Sequence, residues 1–133
     1  MKIYLAGASK EIDLCESFRD RLRAAGHVIT YDWMRELRCC PVADHDLSHE
    51  ARMQYALDDM RGVLSAHLVW LLVPENTSAG CWVELGIALG RGDLVAVSGS
   101  WSRCIFADLA AYRFSDHESA LEWITTEASE RVA

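Results

Sequence analysis

Proline is scarce in this chain, with two residues in 133, and its five cysteines never take a C-x-x-C spacing. The first shortage argues against a disordered or collagen-like polymer, and the second against a zinc ribbon. An odd number of thiols leaves no complete disulfide framework. No apolar run approaches the roughly 18 residues of a membrane span. The N-terminus offers one Lys and a short apolar run that stops at Gly7, so no targeting segment is expected and the cytoplasm is the expected compartment. Positive charge is also short: 13 Lys and Arg stand against 20 Asp and Glu, for a formal net charge of -7. That balance opposes adhesion to a nucleic acid polymer or an anionic membrane. A small anion remains admissible, because one Lys and a few backbone N–H groups suffice to bind a phosphate locally.

What is present is a 51% hydrophobic composition, enough for one core and a single domain spanning residues 1–133. Ile3-Tyr4-Leu5-Ala6 is an apolar run that stops at Gly7-Ala8-Ser9, as a buried strand entering a tight turn does. Helical spacing follows from Lys10 to about Ala25, closed by Gly26, and His27 to Tyr31 reads as a second strand. From Asp32 to Ser48 there is no clean period, which predicts a long loop of the kind used as a lid. Ser48 is a natural N-cap for a helix whose Met53, Ala56, Leu57, Met60, Val63 and Leu64 form an apolar stripe.

Leu68 to Val73, ended by Pro74, has the length of a central strand. A helical pattern runs from Gly80 to Gly92, Leu94 to Val97 makes a fourth strand, and Tyr112 to Phe114 a short fifth. Ser115 or Asp116 would cap a last helix. Strands apolar on both faces and alternating with helices predict an α/β fold, a flavodoxin-like or Rossmann-like three-layer sandwich. Its five-stranded parallel sheet is expected in the order 2-1-3-4-5. Ligands of such sheets bind beyond the carboxyl ends of the strands, near the switch point.

Three segments reach that edge: Gly7 to Lys10, Pro74 to Glu84, and Ser98 to Ser102. Gly7, Ser9, Lys10, Ser78, Gly80, Ser100 and Ser102 are therefore candidate substrate contacts, although small residues also serve simply to make tight turns. Glu84 stands among Trp82, Val83, Leu85 and Ile87, costly company for a carboxylate unless it is paired or used. Placed near a helix start it would be kept ionised by the helix dipole and available as a nucleophile; a surface Glu satisfying the dipole is the alternative. Asp58 and Asp59 flank the preceding stripe, where a solvated acidic face is the ordinary explanation. Tyr4, Tyr31, Trp33 and Trp101 offer faces for stacking a base, although Tyr4 and Tyr31 fit core or rim positions better. Asp44-His45-Asp46 with His49 has metal-ligand residue types at no recognisable spacing, so no metal is expected. Cys81 reads as a packed thiol.

The turn AGASKE, an acidic residue eight before His67, the strand LVWLLVPE, the segment SAGCWVELGIALGRG and a late IF-x-DLA together resemble the nucleoside 2-deoxyribosyltransferase family, which includes deoxynucleoside 5′-monophosphate N-glycosidases. The likeness runs from about Lys2 to Trp123, and its most specific piece is G-x-x-x-E-L-G-x-A at Gly80 to Ala88.

That resemblance implies that Glu84 attacks the anomeric carbon to form a glycosyl ester, with Asp59 protonating around the leaving base, as in a retaining glycosidase. It implies no cofactor, a small-molecule nucleoside or nucleotide as partner, and a homodimer or higher homo-oligomer. Ser78 stands where base-exchanging members carry Asp, and Ser9 with Lys10 approximates the hydrolases' phosphate turn, whereas Ala8 takes the place of a Ser there. His67 replaces a common Asp. The expectation is hydrolysis of a nucleoside 5′-monophosphate; the alternatives are base exchange between deoxynucleosides, an NAD glycohydrolase, or a noncatalytic nucleotide-binding module.

Overall fold

The computed structural model describes residues 1–132. Five parallel strands, β1 (Lys2–Ala6), β2 (Val28–Ile29), β3 (Leu68–Leu72), β4 (Leu94–Ser98) and β5 (Tyr112–Phe114), form one sheet in the order β2-β1-β3-β4-β5. This is the expected α/β topology with its switch between β1 and β3. Every residue of β3 is buried, as a strand covered on both faces requires. One face packs on Cys15, Phe18 and Leu22 of α1 (Ile12–Ala24), with Ala120 and Leu121 of α5 (His117–Trp123). The opposite face packs on Val63 of α3 (His49–Leu64) and on Cys81, Leu85 and Ala88 of α4 (Gly80–Arg91). No helix among the described residues is long and apolar enough to cross a membrane.

Local chemistry explains the helix ends. Ser48 accepts a hydrogen bond from the Ala51 N–H at 3.1 Å, and Asp116, of the two candidates, caps α5 by accepting from Ser119 N–H at 2.7 Å. Gly92 closes α4 at φ 77°, a left-handed conformation that glycine adopts without strain. After α5 the chain continues through a π-helical turn, Ile124–Ala128, into α6 (Ser129–Val132).

Three expectations are corrected. The stretch Asp32 to Ser48 is not all loop: α2 (Trp33–Cys39) and a 3-10 turn (Asp44–Asp46) lie within it. Asp32 caps α2 through Arg35 N–H, and Arg38 ties the helix to Glu16 and Asp13 of α1. Seven residues with only Met34 buried show too little periodicity to be read as a helix. The second strand is shorter than His27 to Tyr31, because only Val28 and Ile29 pair with β1.

In α3 the period is right but most of the apolar stripe is left outside the core: Met53, Met60 and Leu64 are exposed, and Val63 alone of the stripe is fully buried. Beside Val63, the residues turned toward the sheet are Asp59 and Gly62. Gly62 is required there: a Cβ would lie 2.8 Å from the Tyr4 ring and 2.7 Å from Tyr31 Cβ. His67 accepts the Lys2 N–H on Nδ1 at 3.1 Å and so fastens β1 to the residue that precedes β3.

Candidate active site

A cavity of about 310 Å³ opens at the carboxyl ends of β1 and β3, with Glu84 of α4 and Asp59 of α3 in its lining. Tyr4 of β1, itself fully buried, points toward both. Its hydroxyl oxygen is 3.0 Å from Asp59 Oδ1 and 3.0 Å from Glu84 Oε2. Asp58 is turned elsewhere, accepting from Gln54 Nε2 at 2.9 Å and lying 3.9 Å from Arg61, so the acidic pair divides into one inward and one outward member.

A phenol has one proton to donate, yet two carboxyl groups stand at hydrogen-bonding distance from it. The arrangement is satisfied when Tyr4 donates to one carboxylate and accepts from the other as a carboxylic acid. Electrostatics agrees. Burial, then the Asp59 charge, pushes the Glu84 carboxyl up to about 8, against the lowering effect of the Tyr4 hydrogen bond. Burial lifts Asp59 to about 6, helped by Asp58 and Asp44 and opposed by Tyr4. Burial and the two carboxylates also push the Tyr4 hydroxyl far above the ordinary tyrosine range, so it stays protonated. The cluster therefore holds one negative charge and one acid proton near neutrality.

This corrects the expectation that the helix dipole keeps Glu84 ionised. Glu84 is the fifth residue of α4, past its first turn, and desolvation outweighs the dipole.

Around this floor the walls differ in chemistry. Tyr31, Trp33 and Tyr55, with Leu37 and Leu47, supply aromatic and apolar surface. Trp33 is fixed by its indole N–H, which donates to Leu5 C=O at 2.8 Å. Gly7 permits this packing on the far side, because a Cβ would come within 2.6 Å of Cys15 Sγ. The rest of the lining includes Ser9 and Lys10 from the 3-10 turn after β1, Thr77 and Ser78 from the β3–α4 loop, and Gly80 at the start of α4. Hydroxyls, one ammonium and the start of α4 meet there.

Of the residues singled out in the sequence, Glu84, Asp59, Gly7, Ser9, Lys10, Tyr31, Trp33, Ser78 and Gly80 line the cavity; Tyr4, expected to contact substrate, is instead fully buried and reaches only Asp59 and Glu84 through its hydroxyl, and Trp101 lies outside the lining. Ser100 and Ser102 do not line it; the chain after β4 folds into a 3-10 turn, Trp101–Arg103, whose Arg103 reaches toward the β3–α4 loop. Tyr55, Glu36, Cys40 and Asp44 are lining residues that no sequence signal singled out as a wall. Cys81 is a packed thiol, raised by burial. No family model matches the chain, and no curated protein or solved structure matches it significantly.

Proposed function

We propose that this protein is an N-glycosidase that hydrolyses a nucleoside 5′-monophosphate through a covalent glycosyl-Glu84 intermediate. The observation that carries the reading is the Glu84–Tyr4–Asp59 cluster: two carboxyl groups, each 3.0 Å from a single phenol, on the floor of a cavity with aromatic residues in its lining. Retaining cleavage of a glycosidic bond needs those two species side by side. A carboxylate at Glu84 attacks the anomeric carbon while the bond to the base breaks. The base leaves with the bonding electrons and takes the proton of Asp59. Water then attacks the same carbon, gives a proton back to Asp59, and releases Glu84 and the free sugar phosphate.

At rest the proton sits on Glu84, whose pKa is the higher of the two. Passing it to Tyr4 while Tyr4 passes its own to Asp59 produces the reactive form without either proton crossing water. The aromatic wall suits a base, which stacks on such faces regardless of its edge. The polar part of the lining suits the 5′-phosphate, since Ser78 and Ser9 offer hydroxyl donors and Lys10 a charge. With four carboxyl groups elsewhere in the lining, Glu36, Asp44, Asp59 and Glu84, this small set of donors is the place for an anion.

A panel of nucleosides and 5′-monophosphates, with NAD beside them, incubated with and without an acceptor base, tests the reading: free base should appear from monophosphates without acceptor. Base exchange outrunning hydrolysis, or release from NAD alone, would refute it. Five unpaired thiols support a cytoplasmic protein. Val83, Ile105, Phe106 and Leu109, left exposed where α4 meets the Ile105–Leu109 turn, support association of identical copies, which light scattering checks.

A further inference from the structure

The β3–α4 loop that brings Ser78 to the cavity is held from two sides by side chains that do not touch the cavity. Glu11, at the end of the 3-10 turn that carries Ser9 and Lys10, accepts the Glu75 N–H at 3.3 and 3.1 Å and the Asn76 N–H at 3.3 Å. Arg103, beyond β4, donates to Pro74 C=O at 3.2 Å, to Glu75 C=O at 3.0 Å and to Glu75 Oε2 at 3.1 Å. One side chain takes the loop's donors and the other takes its acceptors. Helix capping does not explain Glu11, which precedes α1 without making a side-chain cap hydrogen bond.

We propose that Glu11 and Arg103 are positioning residues that lock the β3–α4 loop against the β1 turn, presetting the distance between Ser78 and Ser9–Lys10 and so the affinity for a substrate's 5′-phosphate. The inference rests on the N-glycosidase reading for the substrate, and on the hydrogen bonds alone for the clamp. A loop held in its binding conformation spares the ligand the cost of ordering it, so the clamp acts on binding and leaves the chemistry to the floor. The same geometry separates this role from plain electrostatics. Glu11 is an anion near a proposed anion site, so if its charge were what mattered, removing it would tighten phosphate binding. If it acts as a clamp, removing it weakens binding.

The test compares Glu11→Ala, Glu11→Gln, Arg103→Ala and the double variant Glu11→Ala/Arg103→Ala with the wild-type chain. Arg21→Ala, which breaks the exposed Arg21–Glu118 pair far from the cavity, is the control. For a matched nucleoside and its 5′-monophosphate, Glu11→Ala and Arg103→Ala should each raise KM for the monophosphate about tenfold, the scale of losing a charge-assisted hydrogen bond to backbone. The nucleoside KM and both kcat values should stay within about twofold. Glu11→Gln, whose amide oxygen still accepts from the loop, should recover most of the loss. The double variant should fall short of the product of the singles, because both release one loop.

Hydrogen exchange on the intact chain reads the clamp without activity: the Glu75 and Asn76 amides should exchange at least about tenfold faster in Glu11→Ala and unchanged in Arg21→Ala. Unchanged exchange, a lowered monophosphate KM, or equal KM effects on nucleoside and monophosphate would overturn the proposal. If the protein binds monophosphates without cleaving them, the same ratios are taken from Kd values by calorimetry; the hydrolytic reading then fails while the clamp is still decided. Absence of any monophosphate binding overturns both.

Discussion

Asp32 and Glu84 are both carboxylates withdrawn from water at the edge of the same sheet, and the chain treats them in opposite ways. Asp32 caps α2 and receives Arg19 at 3.1 Å, Arg23 at 2.8 Å and the Arg35 N–H at 3.2 Å. Burial alone would raise it, but these donors hold it below the usual carboxylate range. Glu84 and Asp59 share one phenol, and among the described residues no guanidinium or ammonium pairs with either. The chain has 13 Lys and Arg, so cations were available and were spent elsewhere. Asp32 joins α1 to α2 and is solved for stability. The floor of the cavity is left electrostatically costly, which is the condition for one carboxyl to be acid and its neighbour to be base near neutral pH.

Removing the costly member should break function and spare the fold. Glu84→Ala should lower turnover by roughly 10³-fold or more, since it deletes the nucleophile. Steady-state base release checks this, with far-UV circular dichroism showing the fold retained. Asp59→Asn should cost roughly 10²- to 10³-fold, the scale of a lost general acid, while Asp58→Asn, on the outward side of α3, should stay within about twofold. Greater sensitivity at Asp58 would refute the assignment. The pH profile carries a further sign. With the pair active only when singly protonated, kcat/KM should rise through about 6 and fall through about 8. Asp59→Asn should lose the alkaline limb and keep a single rise at a pH below about 8, because Glu84 no longer feels the Asp59 charge.

The opposite operation on the solved side should break stability and spare function. Asp32→Ala deletes the α2 cap and leaves Arg19 and Arg23 without their shared acceptor. About 2 kcal/mol should be lost in denaturant titration, from the cap and a charged hydrogen bond together. At the cavity mouth, Ser78→Asp should raise KM for monophosphates about tenfold or more through like-charge contact, with little change for nucleosides. Lys10→Ala should act several-fold, since the hydroxyls of Ser9 and Ser78 remain.

How much of this was legible in the sequence follows from what each signal measures. The strands were readable because β1, β3 and β4 are buried on both faces and carry continuous apolar runs. The lid region was misread because α2 buries one side chain, Met34, so there was no period to see. The face of α3 was hidden for another reason: beside the buried Val63 the helix turns Asp59 and Gly62 inward to meet Tyr4 and leaves Met53 and Met60 exposed, so hydrophobicity alone does not mark the inner face. Tyr4 looked like a core residue and is one, yet its hydroxyl organises the site. Glu11 gave no signal, because its partners are backbone N–H groups 64 and 65 residues away.

The finest test of the comparison is the pH dependence of stability, where the two carboxylates should run in opposite directions. Glu84 in the folded chain titrates at about 8 against an ordinary 4.5, so the native state binds the proton more tightly than the unfolded chain does. Its contribution to stability is fully present below about 4.5 and is lost as pH rises through about 8. Glu84→Gln stays neutral, still accepts from Tyr4, and loses nothing over that range. The variant should therefore match the wild type near pH 4.5 and become more stable as pH rises, levelling above about 8. Allowing for the solvent that reaches the cavity, the gain should be about 1 kcal/mol, roughly 3–5 °C in Tm for a domain of this size. Asp32, depressed in the folded state, contributes above its ordinary 3.8 and is lost only as pH falls through its lower folded value. The deficit of Asp32→Ala should accordingly be full at neutral pH and shrink on acidification below about 4. Parallel thermal melts of the two variants from pH 3 to 9 check both slopes, and a Glu84→Gln advantage that is flat or shrinks with pH would remove the strained carboxyl pair from the account of this site.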